Sequence, residues 1–240
     1  MKFSILLNTR NRVRYLENLL YSLIVKTKNL QDVEVLVNYD DDDSVSHSFA
    51  QNKFNLNIRF FKIQRPHSLH STINLMAKEA KGQYLIGVND DIEFITQDWD
   101  EIMLNKIECF KTSNKIKDDI IYCKTSCTSV DHDPNVPYGS CPVVSKEAID
   151  TIGLFLYEEF VGLGGDSSIY RVYAAVDRVV DVNEVCFDHL MHNTLSKVMS
   201  PDKTAFEMRQ KSFSQNLNPF TFDISKQVSI IKHEITKRRI

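Results

Sequence analysis

Apolar residues in the first half of the chain come in short bursts that alternate with stretches at helical spacing. Phe3-Ser-Ile-Leu-Leu7 predicts a buried strand. Behind it Leu16, Leu19, Leu20, Leu23 and Ile24 fall on one face, at the three-to-four spacing of an amphipathic helix. Val33 to Val37 predicts a second strand running into the polar loop Asn38 to Ser44, and Ile58 to Ile63 a third. A helix is expected over Ser71 to Ala80, closed by Gly82, and then a fourth strand over Tyr84 to Val88 that stops at Asn89. Strands alternating with helices build a largely parallel sheet with helices on both faces. Ligands of such sheets bind beyond the carboxyl ends of the strands, where the strand order reverses.

The second half is less regular. Ile120 to Cys123 and Pro142 to Ser145 predict short strands around a turn-rich loop, Asp131 to Gly139. Lys146 to Ile152 and Asp166 to Ala175 predict helices, and Val179 to Val182 and Val185 to Phe187 predict β pieces. No repeat or linker divides the chain. One α/β domain is therefore expected over residues 1–200, its halves at 1–95 and 96–200, followed by a loop and C-terminal helix at 201–240.

Charge narrows the possible partners. With 29 Lys and Arg against 32 Asp and Glu, the net charge of −3 offers no basic face for nucleic acid. The cluster Lys237-Arg238-Arg239 reads as a solvated helix end, supporting at most a weak peripheral contact with an anionic membrane. No apolar run is long enough to span a bilayer, and Met1 to Leu7 is too short for the core of a signal peptide. The five cysteines are odd in number and form no C-x-x-C pair, so they read as reduced thiols and a cytoplasmic location is expected. Cys123 and Cys127 lack the further ligands that a structural zinc needs.

The chemistry gathers where strands end. Asn8-Thr9-Arg10-Asn11-Arg12 follows the first strand, Asp40-Asp41-Asp42-Asp43 the second, and Asn89-Asp90-Asp91 the fourth. A doubly wound sheet would bring all three to one edge. Adjacent carboxylates repel each other, and a divalent cation relieves that; Mg²⁺ and Mn²⁺ take oxygen ligands and often share one or two carboxylates with substrate phosphates. Asp-Asp also serves as ordinary turn sequence, and acidic runs are usually solvated. Within the four-Asp run, Asp40 at the strand end is the candidate acceptor for a nucleobase or ribose. Arg10 and Arg12 are candidate phosphate contacts, because the guanidinium matches phosphate bidentately. Asp166, after Gly162-Leu-Gly-Gly165, sits at a predicted helix start, either as a cap or as a general base. His189 and His192 follow a β piece and could complete a metal site. No G-x-G-x-x-G follows the first strand and no P-loop motif occurs, which disfavours dinucleotide oxidoreductases and P-loop enzymes.

These features resemble family 2-like glycosyltransferases of the GT-A fold. The resemblance rests on Ile5-Leu-Leu-Asn-Thr-Arg-Asn-Arg12 with Tyr15 to Leu23 behind it, on Val37-Asn-Tyr-Asp-Asp-Asp-Asp43, and on Ala80 to Phe94 around Asn89-Asp90-Asp91, with Trp99-Asp100 beyond. It covers about residues 1–195. It implies a Rossmann-like, mostly parallel sheet, with 1–95 as the nucleotide-sugar half and 96–200 as the acceptor-side half. Thr9, Arg10, Arg12, Asp40, Asn89 and Asp90 are then nucleotide-site residues, with Asn74, Ser71 and Arg65 ranked below them. Asp91 is the principal ligand of Mn²⁺ or Mg²⁺, His189 a second in preference to His192, and Asp166 the catalytic base. Asn89 departs from the family's usual Asp, which throws the metal binding onto Asp91. The implied reaction is inverting transfer of a sugar from a nucleoside-diphosphate donor, UDP-linked, to a hydroxyl of a glycan or similar acceptor. A nucleotidyltransferase or a non-catalytic nucleotide-sugar-binding module are the competing readings.

Overall fold

The computed structural model describes residues 1–64, 68–128, 141–161, 164–190 and 217–238. Among them run β1 (Phe3–Thr9), α1 (Val13–Lys26), β2 (Val33–Asp40), α2 (Ser44–Ala50), β3 (Asn57–Ile63), α3 (Leu69–Glu79), β4 (Tyr84–Asn89) and β5 (Ile92–Phe94). Then come α4 (Trp99–Ser113), β6 (Tyr122–Cys127), β7 (Val143–Ser145), α5 (Lys146–Ile152), α6 (Gly165–Ala174), β8 (Val179–His189) and α7 (Ser225–Lys237).

All eight strands join one sheet in the order β3-β2-β1-β4-β7-β6-β8-β5. The first four are mutually parallel, β7 lies antiparallel between β4 and β6, and β5 lies antiparallel on β8. The chain winds outward from β1 to β2 and β3, then returns to place β4 on the other side of β1. That reversal opens a crevice at the carboxyl ends of β1 and β4, the position where open α/β sheets bind ligands.

Alternation along β1 sends its side chains into two cores. Phe3, Ile5 and Leu7 pack with Leu16, Leu19, Leu20 and Leu23 of α1 on one face, and Leu6 packs with Ile73, Met76 and Phe155 on the other. Each fully buried Leu or Ile contributes about 1.5–3 kcal/mol relative to exposure. Trp99, fully buried, stacks on Phe3 and Phe94 at 4.8 and 5.1 Å, and its indole N–H donates to Thr27 Oγ1 at 2.9 Å. Asp100 accepts from the backbone N–H groups of Lys28 and Asn29. The Trp99-Asp100 pair thus pins α4 to the turn after α1.

Three predicted boundaries change. Gly82 does not close α3, which ends at Glu79; a Cβ at Gly82 would stand 2.6 Å from the Phe3 carbonyl carbon, so glycine is required by close approach to β1. The two β pieces at 179–187 are one strand, β8, whose register against β6 slips between Thr125 and Ser126. The C-terminal helix is no appendage, because Ile231 and Ile235 of α7 are buried in the second core beside α5 and α6 residues. Among the described residues, no helix is long and apolar enough to cross a membrane.

Candidate active site at the strand ends

The register brings the polar clusters together. Asn8 of β1 stands beside Asn38 of β2 and Asn89 of β4, so three strand ends meet on one rung. The Asn8 amide joins the neighbours: its Oδ1 accepts from Asn38 Nδ2 at 3.1 Å and Thr72 Oγ1 at 2.6 Å, and its Nδ2 donates to the Leu69 carbonyl. One residue further on, Thr9 Oγ1 donates to Asp90 Oδ2 at 2.9 Å across the crevice.

Arg12 occupies the middle. Its guanidinium reaches Asp90 Oδ1 at 3.0 Å and Asp91 Oδ2 at 2.8 Å, and it lies 4.7 Å over the Tyr15 ring. Burial alone would lower the Arg12 pKa, but the two carboxylates outweigh it and raise the value further. Asp90 and Asp91 are 3% and 5% exposed, and their environments push them apart. Burial raises Asp90 to about 7, with Arg12 opposing and Asp91 adding repulsion. Asp91 is also buried, which alone would raise it, yet hydrogen bonding from His189 and the charge of Arg12 hold it well below the ordinary carboxylate range.

His189 arrives through the sheet. β5 pairs with β8 so that Ile92 faces His189, and Leu190 N–H donates to the Asp91 carbonyl at 3.0 Å. This puts His189 Nε2 3.2 Å from Asp91 Oδ1 and 3.5 Å from Asn89 Nδ2. Asp91 therefore turns one oxygen to Arg12 and the other to His189. Among the described residues, no group of three His, Cys, Asp or Glu side chains is arranged to hold a metal ion. The pair itself fits one: two adjacent ligands on an octahedral ion with bonds of about 2.0–2.1 Å stand roughly 3 Å apart.

On the β2 side, Arg10 donates to Asp40 Oδ2 at 2.9 Å and bridges to Asp42. Asp43 caps α2, accepting from Ser46 N–H at 3.0 Å, and also takes the Asn11 N–H at 2.8 Å, fixing a loop in which Asn11 adopts a φ of 52°. Asp41 is exposed, and its backbone N–H donates to the Ile63 carbonyl at 2.8 Å. An open groove of about 910 Å³ between α5 and α7, lined by Glu147, Lys226 and His233 among others, shares no residue with this cluster.

Asp166 is the second residue of α6, whose first turn is entered through Gly164 at φ 90°. Its Oδ1 accepts from Ser167 N–H at 2.8 Å and from the Ser167 hydroxyl. Burial raises its pKa against those two bonds. Cys141, just before β7, is buried where both Asp166 and Asp91 add to the upward push on its thiol after burial and Cys127.

Asn74 does not face the crevice as expected. Its Oδ1 accepts from Phe155 and Leu156 N–H, and its Nδ2 donates to the Leu156 carbonyl and Glu158 Oε1. An amide with every bonding position used is a clamp on the 155–158 segment, not a nucleotide contact. Ser71 is likewise turned back, its hydroxyl donating to the Ser68 carbonyl at 2.7 Å. Arg65 and His192 lie outside the described residues. The reading from sequence missed Asn8 as the hub of the rung, Tyr15 beneath Arg12, and His70, which is taken up below. Asn8 and Tyr15 both flank the Arg12 loop, and that proximity was the available signal.

Comparison with known proteins bears on the fold. Residues 4–113 match the model of the family described as glycosyl transferase family 2. No curated protein sequence matches the chain. Among solved structures, S. aureus TarS 1-349 in complex with UDP superposes with a TM-score of 0.60 at 15% identity, over 93% of this chain and 73% of that one. The same protein with UDP-GlcNAc gives 0.57 at 14% identity, over 99% and 72%. The mannosyltransferase PcManGT from Pyrobaculum calidifontis, in complex with GDP-Man and Mn²⁺, gives 0.58 at 11% identity, over 98% and 75%. The chain thus shares the GT-A fold of these structures, and its residues 4–113 match the glycosyl transferase family 2 model.

Proposed function

We propose that the protein transfers a sugar from a nucleoside-diphosphate donor, UDP-linked, to a hydroxyl of a glycan or similar acceptor, with inversion at the sugar carbon. The observation that carries this reading is Asp91, set at the topological switch point with Arg12 on one oxygen and His189 beside the other. Thr9, Arg10, Arg12, Asp40, Asn89 and Asp90 surround the donor. Asp40, at the end of β2, accepts from the base or ribose once the donor displaces part of the Arg10 contact. Arg12 moves from the carboxylates to the diphosphate, exchanging one anionic partner for another.

Asp91 and His189 would hold Mn²⁺ or Mg²⁺, which stabilises negative charge on the departing diphosphate when bound. Asp166 takes the proton from the acceptor hydroxyl. The acceptor oxygen bonds to the anomeric carbon from the face opposite the diphosphate, and the bond from carbon to phosphate oxygen breaks with its electron pair on the leaving group. A carboxylate with a pKa raised toward neutrality is the better base for that step. The family match over residues 4–113 and the nucleotide-sugar complexes of the structural neighbours support the donor class.

The test is turnover of UDP- and GDP-sugars with Asp166→Asn. This variant is expected to keep UDP binding and to lose transfer; an unimpaired rate removes Asp166 as the base. Asn89, where the family's pattern has Asp, favours one second reading, a nucleotide-sugar-binding module. UDP binding without turnover over a broad acceptor panel would select it.

A further inference from the structure

The start of α3 is bonded to the segment that leads into Asp166, and one contact there serves no purpose in the reaction already described. Ser68 Oγ donates to the Phe160 carbonyl at 2.7 Å, Leu69 N–H donates to the Val161 carbonyl at 2.9 Å, and Asn74 clamps 155–158. Between them sits His70, 7% exposed, with Nδ1 3.0 Å from the Tyr157 carbonyl. A carbonyl only accepts, so Nδ1 carries the proton, and the ring is held in one tautomer and one orientation. Burial lowers the His70 pKa.

The Nδ1–Cε1 edge of that ring also lies against Gly165, the residue before Asp166. A Cβ built at Gly165 would stand 2.4 Å from His70 Cε1, 2.7 Å from Nδ1 and 3.0 Å from Nε2. Real Cβ atoms do not approach so closely, so the imidazole fills the space a side chain at 165 would need. The first turn of α6 therefore rests on the ring through the bare α-carbon of Gly165. We infer that His70 is the positioning residue for Asp166: it fixes the height and tilt of the first turn of α6 through ring contact with Gly165, while its Nδ1–H anchors the ring to Tyr157. This rests on the reading of Asp166 as the base. Sub-ångström placement of such a group matters, because misplacement by about 1 Å can cost 100-fold in rate.

The same α3 turn is also tied to the donor side, through Asn8 Nδ2 to the Leu69 carbonyl at 3.2 Å. A defect confined to His70 should leave that link intact, which gives the inference a specific signature. The experiment compares wild type, His70→Ala, His70→Asn, Gly165→Ala, the His70→Ala/Gly165→Ala double variant and Asp166→Asn. UDP binding is read by calorimetry, amide exchange by mass spectrometry, and kcat and KM with the best donor of a UDP- and GDP-sugar panel, water serving as acceptor.

His70→Ala and Gly165→Ala are expected to keep the UDP Kd and donor KM within about twofold, to lose about tenfold or more in kcat, and to exchange faster at 164–168 than in β1 and β4. Asn overlays Nδ1 of the imidazole and keeps the bond to Tyr157 but not the ring, so His70→Asn fails to restore kcat. The double variant falls no further than the worse single one, because both act through one contact. Rescue by His70→Asn, multiplying losses in the double variant, or a loss of UDP affinity matching the loss of kcat would overturn the inference, since each marks a merely structural role. The exchange pattern decides where turnover is too slow to measure: unchanged protection at 164–168 in His70→Ala also overturns it. Full activity in Asp166→Asn removes the base reading itself. An inactive Asp166→Asn beside a fully active His70→Ala removes only this inference.

Discussion

At the scale of single residues, the site works by dividing charge. Two adjacent buried carboxylates share Arg12, and their fates diverge because only Asp91 also meets His189. Replacing Arg12 by Ala should weaken UDP binding about tenfold, the loss of one good phosphate contact. It should at the same time strengthen Mn²⁺ binding in the absence of UDP, because the competing cation is gone; calorimetry of each ligand alone checks both. Asn74 predicts the opposite kind of outcome. Asn74→Ala leaves two buried N–H groups unsatisfied and should cost about 2–3 kcal/mol of stability by denaturant unfolding, with UDP affinity unchanged. A changed UDP affinity at intact stability would restore Asn74 to the nucleotide site. Strand-end residues were readable from sequence because position after a predicted strand carries chemical meaning. Asn74 and His70 were not, since their partners at 155–165 are about 80 to 95 positions away and no local pattern announces them.

At the scale of elements, the parallel half was legible and the rest less so. Buried parallel strands are continuous apolar runs, as in Tyr84 to Val88, whereas β5 has three residues and gains its place by pairing with β8. α4 was not read from the sequence, although Trp99, Met103 and Ile107 are buried and Ile102, Leu104 and Phe110 pack beside them; charged residues interrupt that stripe. The foot of the sheet carries its own test. Glu34 is buried, which alone would raise its pKa, but bonds from Ser4, the Lys81 N–H and Arg59 more than offset burial and leave it lowered from 4.5. A carboxylate depressed in the folded state contributes stability that is complete above the unfolded value and is lost as pH falls through the folded one. Thermal unfolding of the wild type should therefore drop below about pH 4.5, and Glu34→Gln should be less stable at pH 7 by roughly 2–3 kcal/mol with a shallower acid slope. Equal slopes in the two proteins would remove Glu34 as the source.

Across the whole molecule, one sheet carries both halves, and α7 closes the core beneath the second. Ile231→Ala in α7 should cost about 2–5 kcal/mol and shift the single unfolding transition as a unit. A separate early transition for the C-terminal helix would instead restore the boundary expected near residue 200. The parallel half of the sheet and the meeting of its polar strand ends could be read from spacing; the second half could not, because it depends on long-range packing between α3 and residues 155–165. The central claim is that Asp91 holds the cation on which sugar transfer depends. It is tested most directly by donor turnover of metal-stripped protein before and after Mn²⁺ is restored, with Asp91→Ala alongside. The account predicts at least about 100-fold recovery by Mn²⁺ in the wild type and none in Asp91→Ala, since a Lewis acid contributes several kcal/mol. Full turnover in the metal-stripped wild type, or undiminished recovery in Asp91→Ala, would contradict it.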